Sequence, residues 1–287
     1  MFHIKNIILS VLFLLGKLNF FIPKFNIIMF FTNNKNSNDN NRALLSKMVD
    51  CGLDKKYRIY FFSKDADRYN HFEKIKYRAT FWAPLYFLIS KYCFYDCGTL
   101  KITPSKKQFV VSLWHGVPLK RVGLMLSEQT SFLDRYNDFS KILVPSEMWA
   151  DIYKRCFGCL DDQIMINGFP RNDFLFHPNY EVFDKLNIVN DCSCRVLWMP
   201  TFRSSIGGRY NDLLEDKLLD LPLFSSYSEL KEFNELLRLK DIQLIVKLHP
   251  YSVLNLHLPE VLSNIIFVRN SELNELGIIN YEFIACF

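Results

Sequence analysis

Residues 141–167, KILVPSEMWADIYKRCFGCLDDQIMIN, hold the pattern that decides the fold. Lys141–Val144 reads as a short apolar strand, and Glu147–Phe157 as a helix with Ser146 placed to cap it. Gln163–Asn167 reads as the next strand. The alternation extends both ways. Towards the N-terminus lie strand Phe25–Phe31, a polar run Thr32–Asn41 leading into helix Arg42–Val49, and strand Arg58–Phe62. A helix around Thr80–Ser90 and strands Tyr92–Tyr95 and Phe109–Leu113 come next. Towards the C-terminus lie strand Val196–Met199, helix Ser228–Leu239, and strands Gln243–Leu248 and Asn264–Val268. Short apolar strands alternating with helices make a mostly parallel sheet covered on both faces. The expected fold class is α/β, with two Rossmann-like doubly wound domains. No repeat at solenoid periods is present.

Composition agrees with a globular chain. Hydrophobic residues are 49% of the 287 and charged residues 23%, so there is too much apolar surface for a disordered chain. Ten Gly and eleven Pro exclude a collagen-like or low-complexity protein. The 35 basic and 30 acidic side chains give a formal net charge of +5. That fits a polyanionic substrate or an anionic membrane surface without demanding nucleic acid. Lys64, Lys74, Lys76 and Arg78, interleaved with Tyr69 and Tyr77, read as a solvated face. The 27 Phe and 14 Tyr favour aromatic-rich buried strands and helices.

The chain divides at its composition shifts. Residues 1–24 form an apolar N-terminal segment, 25–172 a first Rossmann-like domain, 173–194 a polar interdomain segment, and 195–287 a partial second domain. The run Asn6–Gly16 is too short to span a bilayer, which takes about 20 apolar residues. Flanked by Lys5, Lys17 and Lys24, it reads either as a helix lying in an anionic interface or as one packed on the first domain. The second domain shows three strands where a doubly wound domain has five or six, and the chain stops in the apolar stretch Ile278–Phe287. The expectation is a missing remainder. Cys156 and Cys159 form a C-x2-C, but the nearby pair Cys192 and Cys194 lies in a polar link. The eight cysteines therefore read as free thiols of a reduced, cytoplasmic protein, with no metal and no cofactor.

Polar residues gather where strands end, the edge at which open α/β sheets place ligands. His115, Gly116 and Lys120 come after Phe109–Leu113. Arg171 comes after Gln163–Asn167, Arg203 after Val196–Met199, and Lys247 and His249 stand at the end of Gln243–Leu248. A lone histidine or arginine in such a turn is more often a structural hydrogen-bonding group than a catalyst. The order and spacing of all four exits is far more specific.

WHGVPLK at 114–120, VPSEMWADIYKRCFG at 144–158, NGFPRND at 167–173, PTFR at 200–203 and KLHP at 247–250 resemble, in that order, the CDP-glycerol glycerophosphotransferase family. These enzymes prime or polymerise teichoic-acid-like glycerol phosphate chains. The resemblance runs from about residue 25 to the end. It implies a GT-B-type pair of domains, with 25–172 on the acceptor side and 195–287 on the nucleotide side. It implies His115 as general base, His249 as the second functional histidine, and a functional place for Arg203. The remaining substrate-binding candidates follow from residue chemistry: Lys247, Arg171 and Lys120 as cations for the phosphoryl charge, and Gly116 for close ligand approach to the backbone. The implied donor is CDP-glycerol and the acceptor a glycerol phosphate polymer or lipid-linked primer. The implied location is the cytoplasm, peripheral on the anionic inner face of the cell membrane, with no nucleic acid partner. The family's D-Y-S-S-type nucleotide motif has no counterpart before Phe287. Two other readings stay open. One is a transferase of the same fold using CDP-ribitol or a nucleotide sugar. The other is a truncated, non-catalytic fragment that binds an anionic acceptor or membrane.

Overall fold

The computed structural model describes residues 14–33, 39–64, 72–119, 121–125, 138–188, 192–200, 221, 223–248, 261–278 and 280–287. The chain forms two compact units, residues 1–173 and 174–287.

The first unit is built on a seven-stranded sheet: β1 Phe25–Thr32, β2 Arg58–Ser63, β3 Lys76–Ala79, β4 Ser90–Cys97, β5 Phe109–Ser112, β6 Lys141–Val144 and β7 Ile164–Ile166. Their order is β3-β2-β1-β4-β5-β6-β7, and every neighbouring pair is parallel. This is the doubly wound topology, with the order reversing between β1 and β4. Why β1 reads as an unbroken apolar run is clear from its two faces. Ile27, Met29 and Phe31 point into one core with Phe87, Tyr95 and Tyr153. Ile28 and Phe30 point into another with Leu45, Ile59 and Phe61. A strand buried on both sides has no polar face to alternate with. Phe30 stacks on Phe94 and Phe61, with centroids 5.2 and 6.0 Å apart.

Several local expectations change. Ser146 has the extended backbone of an N-cap, but its side chain makes no cap bond. Its carbonyl instead accepts from the amides of Trp149 and Ala150. The basic stretch is solvated as expected, with Lys64, Lys74, Lys76 and Arg78 exposed, but it also contains β3 at a sheet edge, where Tyr77 packs 5.7 Å from Phe61. Charges on an edge strand also oppose pairing with another chain. Tyr69 lies outside the described residues.

Of the N-terminal segment, residues 14–18 form a helical turn, and residues 1–13 lie outside the described ones. Leu15 and Ile22 pack on the first core. Asn19 Nδ2 donates to Gln108 Oε1 at 2.6 Å and to the Thr103 carbonyl at 2.9 Å. Phe21 stays 86% exposed, while the Lys24 ammonium donates to the Asn19 carbonyl at 3.0 Å and to Asn19 Oδ1 at 2.6 Å. Among the described residues, no helix is long and apolar enough to cross a membrane.

The second unit holds a parallel sheet of β8 Cys194–Trp198, β9 Ile242–Lys247 and β10 Ile265–Val268, in the order β10-β9-β8. Ile245 of β9 faces one core, while Leu244 and Val246 face another. Ser226 caps the helix Tyr227–Leu239 by accepting from the Glu229 amide at 3.2 Å. Residues expected to lie between the domains take part in this unit. Val182 and Phe183, in the short helix Glu181–Lys185, are buried with Ile278 and Phe283.

Cys93, Cys156, Cys159 and Cys286 are buried free thiols. Burial pushes the Cys159 thiol up to about 11, which keeps it protonated and a poor metal ligand. Among the described residues, no cluster of three or more His, Cys, Asp or Glu could hold a metal ion.

Candidate active site

The turn after β5 shapes the C-terminal edge of the first sheet. The Leu113 amide still donates to the Tyr95 carbonyl at 2.7 Å. Trp114 then turns into the left-handed region at φ 51°, a conformation that non-glycine residues adopt at a cost of about 1–3 kcal/mol. Its indole fills the space beside Phe157, with centroids 4.5 Å apart. The His115 imidazole stacks on the same indole at 4.3 Å and an interplanar angle of 24°. The tryptophan is thus the platform that aims the histidine.

Gly116 is next in the chain at φ 135°, and a Cβ there would stand 2.9 Å from an Arg171 guanidinium nitrogen. The glycine therefore meets two demands, backbone conformation and close approach of the cation. Its carbonyl accepts from the Tyr153 hydroxyl at 2.9 Å. Burial raises the Tyr153 pKa, so the phenol remains a proton donor. Arg171 comes from the turn after β7, opening the 3-10 segment Pro170–Phe176, and its guanidinium lies 5.6 Å over the Phe169 ring.

His115 has accessible ring surface, yet the protein crowding it displaces water from one side. That desolvation, and next the positive charge of Arg171, press its pKa below the ordinary 6.5. A neutral imidazole is what a general base needs at neutral pH. A guanidinium beside it can hold an anion. The two side chains meet on the edge where doubly wound sheets bind ligands.

Of the residues singled out from sequence, His115, Gly116 and Arg171 come together here. Lys247 belongs to the second unit. It is 7% exposed, and its ammonium donates to Asn270 Oδ1 at 2.7 Å. Lys120, Arg203 and His249 lie outside the described residues. Sequence reading missed two contributors. Asn40, in the polar run after β1, bonds to the Trp114 carbonyl at 2.7 Å and accepts from the Arg171 amide at 3.3 Å. Tyr153, on the inward face of the helix Glu147–Phe157, reads from sequence as an ordinary core aromatic.

Comparison with known proteins extends this picture. Teichoic acid ribitol-phosphate polymerase TarL of Staphylococcus aureus is 28% identical over 207 residues, covering 65% of this chain and 35% of TarL. Teichoic acid poly(glycerol phosphate) polymerase of Bacillus subtilis is 29% identical over 116 residues, 34% of this chain and 15% of that protein. The matched regions thus span about a third or less of the length of these relatives. Among solved structures, the wall teichoic acid polymerase TagF superposes with a TM-score of 0.68 at 17% identity, covering 99% of this chain and 71% of TagF. That likeness supports the GT-B-type fold. The family profile for CDP-glycerol:poly(glycerophosphate) glycerophosphotransferases matches residues 14–280, and the chain belongs to that family.

Proposed function

We propose that the protein acts in teichoic acid synthesis, transferring glycerol phosphate from CDP-glycerol to a hydroxyl of a lipid-linked or polymeric acceptor. The observation that carries this reading is the depressed-pKa His115 set beside Arg171 at the exits of β5 and β7, in a chain of this family. The acceptor oxygen attacks the β-phosphorus, and the bond from that phosphorus to the CMP oxygen breaks. CMP leaves with the electron pair, and the hydroxyl proton passes to the His115 imidazole. Negative charge on the phosphoryl oxygens is held by Arg171, and cationic donors are worth most where such charge develops. Lys120, Arg203, Lys247 and His249 are assigned to donor and phosphate binding from their motif positions. No metal enters this scheme. The exposed Phe21 and Lys17 support peripheral contact with the anionic inner face of the membrane, whereas the Lys24 ammonium is turned inward, donating to the Asn19 and Leu88 carbonyls.

The test is CMP release from CDP-glycerol. His115→Ala should lower turnover by about 10²–10⁴-fold, the usual range for a general base. Near-parental turnover would remove His115 from the role. The similarity to TarL supports CDP-ribitol as the second donor. CMP release from CDP-ribitol and not from CDP-glycerol would select it, and failure of both with a folded chain would leave a non-catalytic binder.

A further inference from the structure

The helix Asp39–Asp50 begins beyond the exit of β1, on one side of the point where the strand order reverses. Asn40, in its first turn, is 2% exposed. Its Nδ2 donates to the Trp114 carbonyl at 2.7 Å and the Leu113 carbonyl at 3.3 Å, and its Oδ1 accepts from the Arg171 backbone amide at 3.3 Å. One side chain thus joins the exits of β1, β5 and β7. An amide carries a donor and an acceptor side by side without charge, so Asp, Ala or Leu could not make the same set of bonds.

We infer that Asn40 is the positioning residue of the site, holding the Trp114 platform in its left-handed conformation and keeping the His115 loop and the Arg171 loop at one separation. Trp114 is non-glycine at positive φ, and such a conformation persists only where surrounding structure over-determines it. Phe157 fixes the ring of Trp114, while Asn40 fixes its carbonyl. Asn41 next door makes a bond of the same chemistry, from its Nδ2 to the Phe31 carbonyl at 3.0 Å, but reaches neither loop. It is the natural control. Among the described residues, the charged group acting on His115 is Arg171 from the exit of β7, and the helix Glu147–Phe157 adds the protonated phenol of Tyr153 through Gly116.

The inference rests on His115 being the base, so the test reads the histidine directly and not turnover. In a protein with 13C-labelled histidine, the His115 Cε1 proton of the wild type should show a ring-current shift from the stacked indole and a pKa below 6.5. Asn40→Ala should remove the ring-current shift and raise the pKa towards 6.5. Asn40→Asp, which keeps the shape and the acceptor but loses the donor, should also remove the ring-current shift, a readout its added charge does not mimic. Asn41→Ala should leave both readouts at wild-type values. Folded Asn40 variants with an unchanged His115 signal would overturn the inference. So would Asn41→Ala acting as strongly, or both Asn40 variants failing to fold, because Asn40 would then hold the fold and not the ring. If His115→Ala keeps its turnover while the Asn40 variants shift the resonance, the functional reading fails and the positioning role stands.

Discussion

His115 owes its proton affinity to its surroundings. Desolvation and the charge of Arg171 both disfavour the imidazolium, so the folded pKa lies below the unfolded 6.5. Between those two values the unfolded chain binds more protons than the folded one. Stability contributed by this group is therefore complete above about pH 6.5 and is lost as pH falls through the folded pKa. On the proposed role of His115 as the base, the consequence is an acid limb of kcat/KM below pH 6.5. Arg171→Met removes the repelling charge and should move that limb upward, although desolvation of the ring keeps part of the depression. A pH–rate profile of the two proteins checks this, and an unmoved limb would detach Arg171 from the base. At this scale the placing of His115, Gly116 and Arg171 at strand exits was legible from sequence, because chemistry-bearing residues there form a recognisable string. Asn40 was not, since an asparagine in a polar turn looks the same whether or not it reaches residues more than seventy positions away.

The elements show a similar division. Strands β1, β2, β6 and β9 begin or end within a residue or two of where apolar runs begin or end, because burial on both faces demands continuous hydrophobicity. The helix Glu147–Phe157 begins and ends where its sequence predicts, but its closest neighbour came from elsewhere. Gly123, in the turn Gly123–Met125, has φ 57°, and a Cβ there would sit 2.1 Å from the Cys156 carbonyl oxygen. Gly123→Ala should therefore displace the last turn of that helix and destabilise the first unit beyond the roughly 1–3 kcal/mol of left-handed strain alone. Gly168 makes the comparison, because it has φ 67° with nothing within 4 Å of a Cβ. Gly168→Ala should cost only the same roughly 1–3 kcal/mol of left-handed strain, the backbone share. Denaturant midpoints of the two variants test the difference.

Taken as a whole, the chain is two units, each with its own apolar cores. In the second, Phe183 from the short helix Glu181–Lys185 stands edge-on to Phe287 at 5.5 Å and under the Arg195 guanidinium at 4.2 Å. Phe183→Ala removes a side chain buried among Val182, Ile278 and Phe283, and should cost about 3–5 kcal/mol. Faster amide exchange across β8, β9 and β10 is the expected signature. Unchanged exchange there would return residues 174–188 to the role of a connecting segment.

By itself the sequence determined the α/β alternation, the positions of most strands and of the helix Glu147–Phe157, and the order of the polar exits that mark the family; β3 and the helix Glu181–Lys185 escaped it. These arise from hydrophobic periodicity and local turn chemistry, which act over a few neighbouring residues. Only the tertiary structure decided that β1 lies between β2 and β4, that Trp114 takes a left-handed turn under His115, and that Asn40 spans three strand exits. It likewise decided that residues 181–185 join the second core. Apart from the stack of Trp114 on its neighbour His115, these are contacts between residues distant in sequence, set by which surfaces bury one another, and no local pattern encodes such a partner.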